Sequence, residues 1–499
     1  MTTISWRRAA LAGVLAAATV LGVGHLVAVF LAPAASPFYA LGATMVDLTP
    51  HQLKDAAIRQ FGSHDKQVLF ASMAVVMVLG AVLAGLLERR RPLGSALLLV
   101  LGGVTVVAAL QRPTATAVFA IPALVGTVAG VVVLRVLRPG LDVASDGLSR
   151  RRFLVAAAGF GVLAVGAGVA GQWLSTRLRD VVADRARFLL PRAAPPAPLR
   201  AEPRVAGLTP FRTPNDRFYR VDTALQLPAL LSADWRLRIH GMVDRPVELD
   251  FDDLRRRTAV ERVITLTCVS NEVGGDLAGT ASWLGYPLAD LLTEAGVRPD
   301  ADMLLSRSVD GFTAGTPLSE ILDGRDALLA IGMNGEPLPI EHGYPARLLV
   351  PGLYGYVSAT KWVIDLEVTR FDRATAYWTD RGWAARAPIK TASRVDVPPA
   401  FATLPAGPVT VAGVAWAQQR GITAVEVQVD DQPWQQATLT AEYSRDTWRQ
   451  WTWQWPATPG THTLRVRATD GSGQVQTDQR TTPFPDGSTG WHNRVVTIR

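Results

Sequence analysis

Residues 263–271 read VITLTCVSN and hold Cys268, the only cysteine in a chain of 499 residues. The β-branched, alternating run before the cysteine predicts a strand. Asn271 and the Gly274-Gly275 pair after it predict a turn and a loop. A thiol at the end of a strand, beside a loop of small residues, can present its sulfur to a ligand in a cleft. A free cysteine is more commonly a small buried hydrophobe, so the stretch needs support from elsewhere in the chain. A single cysteine leaves no internal disulfide and no cysteine-built zinc or iron–sulfur site.

Apolar residues make up 48% of the chain, and the excess sits in its first third. Five apolar spans stand out there, at 9–31, 67–87, 93–110, 116–137 and 153–174. Each is near the ~20 residues a helix needs to cross the hydrocarbon core. The formal net charge is +7, and much of it flanks these spans. Arg7 and Arg8, Arg89 to Arg91, and Arg135, Arg138 and Arg150 to Arg152 fall on one side. The positive-inside rule makes that side cytoplasmic and puts everything after residue 174 outside. The outer loop between the first two spans mixes Lys54, Arg59 and Lys66 with Asp47, Asp55 and Asp65. No cationic run with interleaved aromatics suggests a nucleic-acid partner. His25 is the only histidine within a span and reads as an isolated, neutral residue at a helix interface. His51 and His64 fall in the outer loop. With no histidine pair in the spans and no C-x-x-C-H, no internal haem is expected.

Residues 149–154 read SRRRFL and resemble the twin-arginine export signal S-R-R-x-F-L, which carries folded proteins across the membrane. No small-residue cleavage site follows, so the fifth span is expected to stay as an anchor.

Residues 193–203, AAPPAPLRAEP, form a stiff spacer. Beyond it, residues 208–223 (LTPFRTPNDRFYRVDT) place Asn215, Phe218, Tyr219 and Arg220 together on a loop. Residues 235–239 predict a strand, and 251–256 a short helix behind Asp250 as N-cap. Residues 279–295 predict a turn and then an amphipathic helix from Pro287. A strand at 303–308 and a short helix at 317–322 follow. Residues 342–362 read HGYPARLLVPGLYGYVSATKW. A strand at 347–350 runs into a loop with Gly352, Gly355, Ser358 and Ala359, flanked by Arg347 and Lys361. Two cations about a small-residue loop suit an anionic group, particularly a phosphate.

From about 207 to 395, these segments resemble the sulfite-oxidase family of molybdenum-cofactor enzymes. The family's C-x-x-N is met by Cys268-Val269-Ser270-Asn271, and its H/N-G-x-P-x-R by His342 to Arg347. Its S-x-x-K-W is met by Ser358 to Trp362. Its T-P-N with paired aromatics is met by Thr213-Pro214-Asn215 and Phe218-Tyr219. The resemblance implies a mononuclear molybdenum–molybdopterin cofactor with Cys268 as the single protein thiolate on the metal. Asn215, Phe218, Tyr219, Arg220, Asn271, His342, Arg347, Ser358, Ala359 and Lys361 would then hold the pterin and its phosphate. A soft thiolate suits such a metal. The chain departs from the pattern in ways that argue against sulfite. Sulfite oxidases of animals and plants carry arginines just after C-x-x-N, where this chain has Glu272 and Val273. Their R-N-H triplet is replaced by Val221-Asp222-Thr223. No counterpart of the family's active-site tyrosine stands near Asp310-Gly311-Phe312.

From about residue 401, short alternating strands at 409–414, 425–429, 451–455, 462–468 and 494–498 predict an antiparallel β-sandwich. Residues 413–439 resemble the immunoglobulin-like dimerisation domain of the same family, so a homodimer is implied by that resemblance alone. Of the run Trp448, Trp451, Trp453 and Trp455, the three that lie two apart, Trp451, Trp453 and Trp455, are expected to pack one sheet face.

The expected organisation is multidomain. An all-α transmembrane region of five helices covers 1–176, and a Pro-rich linker 177–205. An α+β molybdopterin-binding catalytic domain of sulfite-oxidase type covers 206–395, and an all-β immunoglobulin-like sandwich 396–499. The expected function is a multi-pass, membrane-anchored, extracytoplasmic oxidoreductase that moves an oxygen atom to or from a small substrate. Electrons would pass to an external protein partner or a quinone. The alternative is a non-catalytic membrane receptor or assembly scaffold, against which the retained Cys268 counts.

Overall fold

A computed structural model describes residues 6–49, 65–89, 91–112, 115–138, 147–178, 180–198, 202–224 and 226–499. His51, His64, Lys54, Arg59 and Arg90 lie outside the described residues. The chain forms two compact units. One is Met1–Asp180 with Ala224–Ala229; the other is Val181–Thr223 with Leu230–Arg499.

The first unit is helical: α1 Trp6–Leu31, α2 Pro37–Leu48, α3 Asp65–Glu88, α4 Leu93–Leu110, α5 Ala120–Leu137 and α6 Gly147–Leu178. Among the described residues, five helices are long and apolar enough to cross a membrane: Trp6–Leu31, Gln67–Glu88, Leu93–Leu110, Ala117–Leu137 and Arg151–Ser175. A helix satisfies its own backbone polar groups, which is what hydrocarbon demands. Large apolar side chains such as Val76, Leu79, Val100 and Val162 are exposed on these helices, whereas Ala9, Ala12, Ala16 and Ala84 are buried. Small residues bring the backbones together. A Cβ added at Gly13 would lie 1.9 Å from the Ala81 carbonyl oxygen. At the α3–α4 turn the buried Glu88 carboxylate accepts from the Ser95 N–H at 2.7 Å and the Ser95 hydroxyl at 2.9 Å. His25 is not isolated: its Nδ1 lies 3.1 Å from the Ser36 hydroxyl. Helix α2 lies where the sequence reading left only a loop. Its 12 residues are too few to span a bilayer, but they start on Pro37 and bury Pro37, Ala40 and Gly42.

The second unit begins with helix α7 Val181–Arg187, inside the stretch expected to be linker. It is bound to the domain expected to be catalytic. Arg185 donates to the Leu338 and Pro337 carbonyls at 2.8 and 2.7 Å, and Asp184 accepts from Tyr344 at 2.5 Å. Phe188 meets Phe251 and Tyr344 edge-on. The proline spacer therefore begins after a docked helix. Its anchors combine charge-assisted hydrogen bonds with the buried Val181 and Phe188.

Two sheets carry the catalytic domain. One has strands β1 Leu237–Gly241, β2 Val247–Leu249, β5 Met303–Ser308, β6 Thr313–Pro317 and β10 Val363–Thr369, in the order β2-β1-β10-β5-β6. The other has β3 Val260–Thr267, β4 Ala278–Pro287, β7 Leu328–Met333 and β8 Glu336–Pro337 in that order, with β9 Arg347–Leu349 pairing to β7. Helices α8 Phe251–Arg255, α9 Leu288–Ala295, α10 Leu318–Leu322 and α11 Gly355–Ser358 connect them. Asp250 caps α8 through a reciprocal pair with Asp253. The amphipathic α9 ends on Gly296 in the left-handed region.

Strand β4 corrects the turn expected from residue 279. Its Gly, Ala and Ser content reads as a turn because small residues are poor strand formers. Here they are required, since β4 is central, flanked by β3 and β7, and buried along nearly its whole length. A Cβ at Gly285 would fall 2.2 Å from the Leu329 carbonyl, and one at Gly279 would fall 2.8 Å from the Phe218 ring.

The C-terminal module is a two-sheet sandwich. One sheet is β11 Ala392–Val397, β13 Gly407–Trp416, β17 Arg449–Ala457 and β16 Thr438–Leu439. The other is β12 Thr403–Leu404, β19 His492–Ile498, β18 Gly460–Asp470, β14 Ile422–Val429 and β15 Gln435–Gln436. Trp451 and Trp455 are buried between the sheets, with Trp453 partly buried beside them. Trp448, outside that run, packs elsewhere. Together with Val414 and Trp416 it belongs to the catalytic domain's core, and its indole donates to the Phe211 carbonyl at 2.8 Å.

Candidate functional site

Cys268 follows the last residue of β3 and starts a tight loop. Its N–H donates to the Leu277 carbonyl at 2.9 Å, and its carbonyl accepts from the Asn271 N–H at 3.1 Å. The Asn271 side chain closes the loop by accepting from the Leu277 N–H at 2.9 Å. Asn271 is therefore a loop-shaping residue, which explains the type and its spacing from the cysteine. The thiol is 8% exposed, and burial pushes its pKa up. A bound metal ion would be what keeps this sulfur as a thiolate.

Phe218 and Tyr219 stack at 5.2 Å, and Phe218 meets Trp283 and His342 edge-on. Burial, and then the neighbouring Cys268, raise the Tyr219 pKa, so this phenol stays protonated. Arg347 at the start of β9 is buried, with its guanidinium 5.0 Å from the Trp283 ring. Its Nη1 donates to the His342 carbonyl at 3.1 Å, and its Nε is buried with no partner. Desolvation lowers its pKa to about 10. His342 is buried and pushed down to about 4, by desolvation and then by Arg347 and Lys361. It is neutral at pH 7, with Nε2 3.3 Å from the Asn215 carbonyl.

Arg347 and Lys361 are brought side by side by an antiparallel bridge between their backbones. Gly343, at φ +112°, lets them close up: a Cβ there would lie 3.0 Å from that of Arg347 and 3.2 Å from that of Lys361. The Lys361 ammonium is 2.8 Å from Asp222 and 3.0 Å from the Glu341 carbonyl. Burial lowers its pKa to about 8 against the pull of Asp222. Asp222 is thus a buried partner of the cations, since Arg220 also donates to it at 2.8 Å.

Other sequence candidates lie differently. The Arg220 side chain is 42% exposed. The Asn215 side chain donates to Glu336 at 2.5 Å and accepts from Asn334 at 2.7 Å. The buried Ser358 hydroxyl faces the Leu353 and Tyr354 carbonyls, both at 3.0 Å, so it shapes its own loop. Ala359 joins that turn through its N–H to the Gly355 carbonyl at 2.9 Å. Asn334 was missed by sequence reasoning. Its amide also donates to the Thr213 carbonyl at 3.0 Å, and its φ is +51°. The Asn334-Gly335 dipeptide is a hairpin signal that would have found it. Tyr354 was missed too. Burial raises its pKa to about 12, and its phenol lies near enough to Cys268 to feel its charge.

Among the described residues, no three His, Cys, Asp or Glu side chains come together. A metal at Cys268 would therefore take one protein ligand and draw the others from a bound group. The surroundings fit such a group. A Cβ at Gly355 would meet nothing nearer than 3.9 Å, and what it meets there is Ala359, the Thr267 carbonyl and the Tyr219 hydroxyl. The unpartnered Nε of Arg347 suits an anion.

The pattern of the family described as "Oxidoreductase molybdopterin binding domain" matches residues 224–378, and that of "Bacterial Ig domain" matches residues 394–466. An uncharacterized oxidoreductase of Bacillus subtilis, YuiH, is 32% identical over 30% of this chain and 73% of its own length. The chain belongs to the sulfite-oxidase family of molybdenum-cofactor oxidoreductases. It is also 30% identical to the mitochondrial sulfite oxidase of Macaca fascicularis, over 56% of this chain and 60% of that enzyme. The chain thus spans about three-fifths of the length of that curated relative. The sulfane dehydrogenase SoxCD of Paracoccus pantotrophus shares the fold, with a TM-score of 0.50 and 24% identity over 58% of this chain and 84% of that one. What the match shows directly is a molybdopterin-binding domain over residues 224–378.

Proposed function

We propose that this protein is a membrane-anchored, extracytoplasmic enzyme of oxygen-atom transfer, with Cys268 as the protein ligand to molybdenum. The observation that carries the reading is the convergence of one buried thiol, the buried Tyr354, the partly buried Tyr219 and the buried, part-unpaired Arg347. The molybdopterin group, when bound, supplies two-electron redox chemistry. The chain's own residues do the rest. Cys268 holds the metal, and Asn271 fixes the loop that aims it. Arg347 and Lys361 neutralise the cofactor's anionic end, and neutral His342 donates without adding a third charge. Tyr219, protonated at all working pH, offers a hydrogen bond beside the sulfur.

The five apolar helices and the basic residues at their ends support an outer catalytic unit and a retained fifth helix. The SRRRFL stretch supports twin-arginine export of a cofactor-loaded domain. The proposed boundaries are 1–176 for the membrane region, 206–395 for the catalytic domain with its docked helix α7, and 396–499 for the sandwich. Electrons leave to an external protein or a quinone, and the sandwich resemblance leaves a homodimer as an assembly option.

Intact cells tested with a membrane-impermeant reduced dye check the reading. Sulfoxides and N-oxides are supplied in turn with the reduced dye, and sulfite with an oxidised, membrane-impermeant acceptor, because its oxidation releases electrons. Turnover of a neutral oxide without permeabilisation is expected. Turnover only after permeabilisation would overturn the sidedness, and fast sulfite turnover would overturn the argument from the missing arginines.

A further inference from the structure

Helix α7 presents two different faces. Val181, Asp184, Arg185 and Phe188 recur at the spacing of one helical face and clamp it to the domain behind. Val182, one residue on and so about 100° around the axis, is 69% exposed. Ala186 is exposed one turn later, and Leu189, just past the helix end, is 79% exposed. These three form an open apolar stripe at i, i+4 and i+7. A lone exposed valine would need no explanation, but a stripe calls for something that covers it.

Its place in the chain says what that is. The apolar window of the fifth spanning helix ends at Ser175, α6 itself ends at Leu178, and α7 begins at Val181. Three residues of helix rise about 4.5 Å, and four more in any conformation reach at most about 14 Å. Val182 is therefore within about 20 Å of the hydrocarbon edge along the chain, and the headgroup layer alone takes up about 5–7 Å of that. Trp173, exposed near the end of α6, is of the residue type that sits at the membrane–water boundary. The charge fits as well. Residues 176–192 hold Arg177, Arg179, Arg185, Arg187 and Arg192 against Asp180 and Asp184. Arg185 and Asp184 are engaged by the domain behind, whereas Arg187 and Arg192 are exposed. Apolar side chains flanked by arginines are the composition of a segment that lies in the lipid interface.

We propose that the open stripe of α7 docks on the lipid bilayer, with Val182, Ala186 and Leu189 in the interface and Arg187 and Arg192 at anionic headgroups. Asp184, Arg185 and Phe188 fix α7 to the second unit, so this foot holds the whole unit at the bilayer surface. The proline spacer begins after α7 and is then no tether between membrane and enzyme. The inference rests on insertion of the five helices in a bilayer and is independent of which side the unit faces.

Added cysteines test it: Val182→Cys, Leu189→Cys, Val162→Cys and Val475→Cys. Each carries an environment-sensitive fluorophore on the full-length chain, in nanodiscs of mixed zwitterionic and anionic lipid. Cys268 is buried, and the unsubstituted chain is the labelling blank. Val162, exposed on the fifth spanning helix, reports insertion, and Val475, exposed on the sandwich, reports open solvent. Quenching by a nitroxide carried on the lipid is compared with quenching by iodide. Labels at Val182 and Leu189 are expected to exceed the Val475 label at least about three-fold in lipid quenching, and to fall about three-fold below it with iodide. Omitting the anionic lipid should cut lipid quenching at both by about two-fold and leave the Val162 label unchanged. Iodide quenching equal to that at Val475 would overturn the proposal. So would protection from iodide without lipid quenching, which would mean that protein covers the stripe. No response to anionic lipid would overturn the headgroup role of the arginines. Lipid quenching absent at Val162 too would reject insertion itself, whereas quenching at Val162 alone rejects the docking.

Discussion

The Ser488 hydroxyl donates to the Asn271 carbonyl at 2.6 Å, tying the C-terminal sandwich to the loop that begins at Cys268. Arg394 to the Gly275 carbonyl at 2.7 Å and Gln418 to the Thr265 carbonyl at 3.1 Å repeat the tie. The sandwich therefore braces that loop as well as forming a module of its own. Trp448 is its deepest reach into the catalytic core. Trp448→Ala should cost about 3–5 kcal/mol, the usual range for emptying a buried tryptophan site. Urea unfolding of the detergent-solubilised chain measures this. A loss below about 1 kcal/mol would show that the two modules are energetically separate.

Arg347 should behave as a functional cation rather than a structural one. A buried guanidinium without a carboxylate partner is costly to keep, so an apolar replacement is tolerated by the fold. Arg347→Met is expected to leave the cofactor-free chain as stable as before, or more so, while molybdopterin content falls about ten-fold. Equal cofactor content would remove Arg347 from the cofactor site.

Asp222 should show the opposite balance. It is 4% exposed on its side chain and sits between Lys361 and Arg220. Asp222→Asn leaves Lys361 a buried cation without its carboxylate and should destabilise the cofactor-free chain by about 3 kcal/mol. It should also lower the Lys361 pKa further, because Asp222 is what opposes desolvation there. Unchanged stability would mean that water already serves Lys361.

The pH dependence of stability follows from two buried histidines. His342 and His492 each fall from 6.5 to about 4 in the folded chain. Between those values the unfolded chain binds more protons than the folded one. Their contribution is thus intact above pH 6.5 and is lost as pH falls toward 4, by roughly 3 kcal/mol each. Asp446 works the other way, since burial raises it to about 6 and folding favours its protonated form below that. The informative quantity is therefore the difference made by His492→Gln, which should cut the loss of stability between pH 7 and 5 by roughly 2 kcal/mol. An identical loss in the variant would show that His492 is not held neutral by the fold.

Much of this was legible in the sequence because length and composition fix a spanning helix, and because Cys268, Arg347 and Lys361 sit at the spacings of known motifs. What was hidden has physical causes. Strand β4 is covered on both faces and between neighbours, so its small residues mimic a turn. Helix α2 is too short to announce itself by length. Asp222 could be read from sequence only as a charge repelling sulfite; the structure makes it the counter-ion of Lys361. The role of the sandwich was invisible because its ties join residues remote in sequence, as in the 2.8 Å bond from the Trp448 N–H to Thr265. No local pattern encodes such a pairing.

The central claim is that one buried thiolate holds the metal. The decisive measurement is molybdenum and pterin content, by elemental analysis and cofactor assay, in the purified full-length protein and in Cys268→Ser. The prediction is about one molybdenum per chain in the unmodified protein, with metal lost from the variant while its tryptophan fluorescence and unfolding midpoint are retained. Full molybdenum in Cys268→Ser, or a metal-free unmodified protein from a host that makes the cofactor, would contradict it.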